Sequence, residues 1–312
     1  MDALSRLLAA VLLSTIFFGA AASEMPLLPA GSRLLIVSPH PDDESLCCGG
    51  YIHANANVGV NIYIVWVTNG DGYWRAAAAR FKKPIPDVND YQELGRLRMV
   101  EARNASKDLG VPDDHLLFLG FPDGGLDKLF DINYLRPYVS SRTKWSRVGY
   151  KSSPVFGTPY TGMALESVLI KIFRDIEPDL ILMPAPEDEH SDHWATAKFA
   201  MNAALLTGRG RRVCRWIVHS KYDWPFPQGY FPKSSLGVPP TGSAYKWSKY
   251  ELTRFDLEAK LAALSAYNSQ LLVMHAFLMS FIRRDEMFSC VDIDYLLKKF
   301  RKEDSERRGS SW

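Results

Sequence analysis

The sequence has almost no charge of one sign to spare: 37 Lys and Arg against 35 Asp and Glu leave a formal net charge of +2 over 312 residues. That balance excludes a protein that coats nucleic acid, whose phosphate contacts need a basic excess or a concentrated basic patch. Only four cysteines are present, Cys47, Cys48, Cys214 and Cys290. They are too few and too unevenly spaced for a disulfide-stapled scaffold or a CxxC zinc knuckle, so stability falls mostly to packing. Beyond the N-terminal apolar run, no segment has the length and freedom from charge of a membrane span. No internal repeat is visible. What is there is ordinary globular usage, 47% apolar and 23% charged, which excludes a disordered chain and predicts a substantial core.

Residues 1–22 read as a signal peptide. A short segment carrying Arg6 precedes the uncharged run LLAAVLLSTIFFGAAA, which ends in small residues at Ala20-Ala21-Ala22. Cleavage near Ala22 or Ser23 is expected, leaving one domain over 23–312 and exporting it to a periplasm, the exterior or a secretory lumen. The rival is an uncleaved N-terminal anchor, and only in that case would the protein associate with a membrane. The run is slightly short of the roughly 20 apolar residues that span a bilayer.

From Arg33 onward, short β-rich apolar runs alternate with helical periodicity, the pattern of a mostly parallel, Rossmann-like α/β sheet with helices on both faces. Strands are predicted at 33–37, 60–68, 115–120, 179–184 and 213–218. Helices are predicted at 44–57, 91–109, around Met163–Phe173, at 192–206, and near the end at 257–272 and 274–283. Residues 301–312 read as a frayed, solvated tail. Three long stretches, roughly 70–90, 121–161 and 220–250, read as loops; in such a sheet they gather as functional rims near the carboxyl ends of the strands.

Two clusters carry the chemistry. The first strand runs into Ser38-Pro39-His40-Pro41-Asp42-Asp43-Glu44. One Asp would cap the next helix without the other groups, so the cluster reads instead as a metal site, with His40 and Asp43 converging on a cation while Asp42 stays free. The fourth strand leads into PEDEHSDHW, which holds His190, Asp192 and His193. Such an HxxH spacing is a weak signal alone. Parallel strands, however, bring both loops to one edge of the sheet. His219, just past the fifth strand, is placed to line the same rim and contact substrate. A dinucleotide oxidoreductase is disfavoured, because HPDDE stands where GxGxxG would follow the first strand.

On these residues the chain resembles the PIG-L/LmbE-like metal-dependent de-N-acetylases. The resemblance rests on His40-Pro41-Asp42-Asp43-Glu44 and His190-Ser191-Asp192-His193. It is supported by Cys48-Gly49-Gly50, Thr68-Asn69-Gly70-Asp71, Arg98-Met99-Val100-Glu101, Gly120-Phe121-Pro122-Asp123-Gly124 and Tyr267-Asn268-Ser269-Gln270. It spans roughly residues 33–283 and looks closer to the bacterial branch. It implies that His40, Asp43 and His193 bind zinc, that Asp42 is the general base, that His190 assists at the oxyanion or leaving group, and that Asp192 orients a histidine. Arg98 and Asp123 are placed near the sugar. Two imidazoles and one carboxylate suit a catalytic zinc with an open position for water, though other divalent ions fit this ligand set. The expected activity is hydrolytic removal of acetyl from an N-acetylated amino sugar or glycoconjugate by a metal-activated water, with a protonated His190 assisting. The alternatives are a zinc amidase or esterase for a non-sugar substrate, or a secreted carbohydrate-binding protein on the same fold.

Overall fold

The computed structural model describes residues 23–208 and 212–292. The expected leader at 1–22 and the expected solvated tail at 301–312 lie outside the described residues. Among those described, the strands are β1 (Ser23–Glu24), β2 (Arg33–Ser38), β3 (Asn61–Thr68), β4 (Leu116–Phe121), β5 (Leu180–Pro184), β6 (Arg212–Trp216), β7 (Ser248–Glu251) and β8 (Asp285–Asp292). They make one sheet in the order β1-β7-β8-β6-β5-β2-β3-β4. The helices are α1 (Asp43–Asn57), α2 (Trp74–Phe81), α3 (Val88–Asp108), α4 (Leu126–Phe130), α5 (Gly162–Ile176), α6 (Ser191–Thr207), α7 (Arg254–Ala266) and α8 (Asn268–Met279).

The two faces of β2 explain why its sequence is apolar throughout. Leu34 and Ile36 pack with Leu46 and Ile52 of α1 and Met99 and Ala102 of α3. Leu35 and Val37 pack with Leu165 and Leu169 of α5 and Phe199 of α6. A strand buried on both sides has no polar face to alternate with. β2 is parallel to β3 on one side and to β5 on the other, with Leu34 opposite Leu180 and Ile36 opposite Leu182. Chain order reverses between β2 and β5, so a crevice opens at their carboxyl ends, the usual ligand position in an open α/β sheet.

Three departures from the predicted elements lie in the stretches that read as loops. α2 falls in 70–90, α4 in 121–161 and β7 in 220–250. α2 is only eight residues long, and its buried Ala76 and Ala77 pack with Tyr91 and Leu94, too small an apolar signature to show as periodicity. The helix expected at 274–283 ends at Met279, and the chain then enters β8, which runs antiparallel to β6 and β7. β8 opens with Asp285 and Glu286, both buried, and so does not read as a strand. Lys249 lies 3.4 Å from Asp285, and Lys260 lies 2.7 Å from Glu286. Glu286 also accepts the amides of Gly50 and Tyr51 at 2.9 and 2.8 Å, while Lys260 donates to the Leu46 carbonyl at 2.8 Å. This buried pair clamps α1 to β8 and α7. Gly50 permits the approach, since a Cβ there would stand 2.3 Å from Leu252.

Candidate active site

All nine residues expected to form the site meet at the β2/β5 edge. His40, Asp42, Asp43, Arg98, Asp123, His190 and His219 line a pocket of about 270 Å³. Asp192 and His193 are fully buried and touch its polar wall: Asp192 Oδ2 lies 3.1 Å from His40 Nε2, and His193 Nε2 lies 3.1 Å from Asp43 Oδ2. Leu46, Tyr73, Met274 and Phe277 add an apolar surface. Met274 marks a kink in α8, with φ −137° inside the helix.

Asp43 is the centre of the donor set. Its Oδ2 lies 3.1 Å from His40 Nδ1 and 3.1 Å from His193 Nε2. Both ring nitrogens of His193 are buried without an aligned hydrogen bond, although each has a carboxylate oxygen 3.1 Å away. Burial alone would lower the pKa of His193, but Asp188 and Asp43 outweigh it and push it up to about 9. His40 is likewise held well above its ordinary value against burial, by Asp123, Asp192 and Asp43. Burial would raise Asp43, yet His193 and His40 hold it well below the usual carboxylate range. Protons on two imidazoles thus balance the buried carboxylates, and one divalent cation could replace both. Two imidazole nitrogens and a carboxylate oxygen form a three-ligand set of the kind that holds catalytic zinc. The residues present therefore fit a divalent ion. Three overlapping groups of residues bring ligand atoms within 4.8 Å of one another here: His40, His190 and His193; Asp43, His193 and His219; and His40, Asp123 and Asp192.

Asp42 stands beside this set in the same pocket, with its carboxylate bonded to Arg98. It occupies the N-cap position of α1 but makes no side-chain cap, so a plain capping role is excluded. Its backbone has φ 132°, a region costing an L-residue on the order of 1–3 kcal/mol and found mostly at functional sites. Its Oδ2 accepts from Arg98 Nη2 at 3.0 Å. Burial raises its pKa to about 7, with Arg98 opposing and Asp43 adding to the rise. Arg98 also donates to the Pro41 and Gly70 carbonyls. Gly70 makes room for it, because a Cβ there would fall 2.1 Å from the guanidinium. The resemblance places Arg98 at sugar hydroxyls; it lines the pocket, while its Nη2 also holds Asp42. Asp123 is similarly engaged, with Oδ1 3.3 Å from His40 Nε2 and Oδ2 accepting the Gly72 amide at 2.6 Å.

The remaining imidazoles differ from expectation in charge. His190 is the N-cap of α6, and its Nδ1 accepts the Asp192 amide at 3.2 Å, which leaves the proton of the neutral ring on Nε2. Burial, His40 and His193 lower its pKa to about 4. That lowering favours a neutral ring that donates from Nε2, whereas a protonated His190 was expected. His219 is lowered by burial to about 3 and stacks on Phe277 with ring centroids 5.5 Å apart. Asp192 accepts the Gly124 and Leu126 amides at 2.7 and 3.0 Å, so the histidine it contacts is His40.

Sequence reasoning missed Asp188, whose carboxylate lies 3.1 Å from His193 Nδ1. An isolated acid among Glu187, Asp188 and Glu189 gives no signal. Glu44, the other acid of the HPDDE segment, is fully buried and accepts from Trp66 Nε1 at 2.8 Å, Ser45 Oγ at 2.7 Å and Tyr267 Oη. Those bonds make it a structural anchor rather than a base.

Residues 35–204 match the family described as GlcNAc-PI de-N-acetylase, PIG-L. Among curated proteins, the chain is similar to the 1D-myo-inositol 2-acetamido-2-deoxy-alpha-D-glucopyranoside deacetylase of Streptomyces scabiei (strain 87.22), with 28% identity over 185 residues, 58% of this chain and 50% of that protein. The chain spans about half the length of the curated relatives it matches. It is also similar in structure to the N,N'-diacetylchitobiose deacetylase from Pyrococcus horikoshii, with a TM-score of 0.52, 16% identity and 85% of each chain covered. The conserved protein TT1542 from Thermus thermophilus gives a TM-score of 0.51 at 22% identity, covering 82% of this chain and 93% of that one. Likeness at these identities shows the fold.

Proposed function

The chain belongs to the PIG-L family of GlcNAc-PI de-N-acetylases, and from that premise we propose that it is a metal-dependent hydrolase that removes acetyl from an N-acetylated amino sugar. The observation that carries this reading is the convergence of His40 Nδ1 and His193 Nε2 on Asp43 Oδ2, each at 3.1 Å, beside the separate Asp42 carboxylate. His40, Asp43 and His193 would hold the ion, with zinc the first choice for this ligand set. The chemistry such an ion supplies when bound is polarisation of a carbonyl and a lowered pKa of water.

The chain's own residues account for the rest. Asp42, fixed by Arg98, takes a proton from the attacking water as the new C–O bond forms. His190 donates Nε2–H toward the carbonyl oxygen that gains charge, a role a neutral imidazole can fill. Asp42 then returns the proton to the departing nitrogen as the C–N bond breaks, giving a free amine and acetic acid, which ionises to acetate in water. Similarity to deacetylases of GlcNAc-inositol supports an acetamido-sugar substrate.

Export is part of the proposal. Cys214 and Cys290 stand opposite each other on β6 and β8 and are joined by a disulfide, a bond that persists in oxidising compartments. No helix of the described residues is long and apolar enough to cross a membrane. The deciding experiment measures acetate release by the zinc-loaded protein across acetamido sugars of increasing length, before and after chelation. Absence of release from every member would refute the activity, and release undiminished by chelation would refute the metal.

A further inference from the structure

Asp188 is buried in the turn between β5 and α6, and each of its oxygens is committed. Oδ2 lies 3.1 Å from His193 Nδ1 and accepts the amides of Val218 and His219 at 2.8 and 3.0 Å. Oδ1 accepts the His190 amide at 3.0 Å. One carboxylate therefore touches the side chain of one pocket histidine and the backbone of two others, and joins the segments that follow β5 and β6.

We propose that Asp188 is the positioning residue of the histidine cluster, fixing His193 with its proton on Nδ1 so that Nε2 is free for a divalent cation, and tying His190 and His219 around it. The inference rests on the reading of His193 as a metal ligand. A ring nitrogen that ligates a metal needs its lone pair, and the other nitrogen then carries the proton. A carboxylate facing that second nitrogen selects the tautomer and raises the basicity of the first. Asp192 cannot do this for His193, because its oxygens serve His40 and the Gly124 and Leu126 amides. The two histidines of the donor set thus have separate carboxylates: Asp192 for His40 and Asp188 for His193. Because Asp188 also holds two backbone amides just past β6, its effect reaches His219.

Two measurements test this. Competition against a chelator gives the Zn²⁺ affinity of the parent and of Asp188→Asn, with the melting temperature of each metal-free protein recorded alongside. The expected result is Zn²⁺ binding weaker by roughly 10- to 100-fold, the usual effect of losing such a carboxylate, together with an altered visible spectrum when Co²⁺ replaces Zn²⁺. Long-range ¹H–¹⁵N spectra of the Zn²⁺-loaded parent, which do not depend on the variant folding, should place the His193 proton on Nδ1. Parent-like affinity in Asp188→Asn, or a His193 proton on Nε2, overturns the inference. A parent that binds no Zn²⁺ at all overturns the metal reading beneath it.

Discussion

Replacing Asp42 with Asn should separate chemistry from metal binding and reverse the usual cost of a mutation. Asn has the same shape, and the positive φ of Asp42 is a backbone property that it inherits. His40, Asp43 and His193 are untouched, so the ion should remain. Loss of a general base costs about 10²- to 10⁴-fold in turnover, or about 3–5 kcal/mol in the barrier at roughly 1.4 kcal/mol per tenfold. The fold, in contrast, should gain. Asp42 rises from an ordinary 3.8 to about 7, chiefly through burial. For an acid whose folded value exceeds its unfolded one, the folded state binds the proton more tightly. Stability is then full below 3.8 and is lost as pH rises through about 7. That interval corresponds to on the order of 4 kcal/mol, with the opposing attraction of Arg98 already included, and Asn abolishes it. At pH 8 the metal-free variant should therefore melt no lower than the metal-free parent. The assay pairs acetate release at saturating Zn²⁺ with thermal melts of both metal-free proteins at pH 5 and pH 8. Near-normal turnover with metal in place refutes the base. A variant that melts lower than the parent at pH 8 refutes the electrostatic argument.

His190→Gln should lower kcat by about 10²-fold or more, as loss of an oxyanion donor does. It should leave the acidic limb of the pH–rate profile in place, because a histidine held at about 4 is already neutral; an acidic limb that vanishes in the variant would restore the imidazolium. That limb should lie above 3.8 and below about 7 and belong to Asp42, since a bound cation pulls its carboxyl down from the metal-free value. Lys260→Met leaves Glu286 buried without its cation and should cost about 3–5 kcal/mol of stability, read by urea denaturation; a loss under about 1 kcal/mol would mean that the clamp on α1 is not an ion pair in energy terms. N-terminal sequencing of the mature protein should begin near Ser23 or Glu24, where β1 starts; Met1 on a membrane-associated product would replace export with anchoring.

The central fold was legible because β2, β3, β4 and β5 are apolar runs bounded by helical periodicity, and burial on both faces removes the ambiguity of alternation. The far edge was not. β7 and β8 carry Lys249, Glu251, Asp285 and Glu286, whose charges include ones satisfied by partners distant in sequence, such as Lys260 for Glu286 and Ser235 for Asp285. A window of local sequence sees only the charge. The supporting motifs gain meaning only in three dimensions. Tyr267 and Ser269 of YNSQ bond Glu44 and Glu101, and Arg98 of RMVE bonds Asp42. Segments that read as separate signatures are the two halves of single hydrogen bonds.

The site itself divides along the same line. The proposed donor atoms stood out in the sequence because zinc chemistry restricts ligands to a few residue types, and HPDD and HSDH each follow a strand. Their charge states did not, because these depend on how many carboxylates surround each ring. His193 lies between Asp43 and Asp188 and rises against its burial, whereas burial, with the neighbouring imidazoles adding to it, lowers His190 and His219. Residues of one type within one cluster thus take opposite protonation states, and the division of labour follows from it. The raised rings are those whose proton a cation can displace, and the lowered ones are those able to stay neutral beside it and donate a hydrogen bond. A divalent ion held by the proposed ligands His40, Asp43 and His193 would add positive charge close to His190 and His219 and hold them neutral more firmly. Loading the metal should therefore sharpen their role as donors and leave Asp42 as the only group of the pocket's reacting face that must change protonation state during turnover.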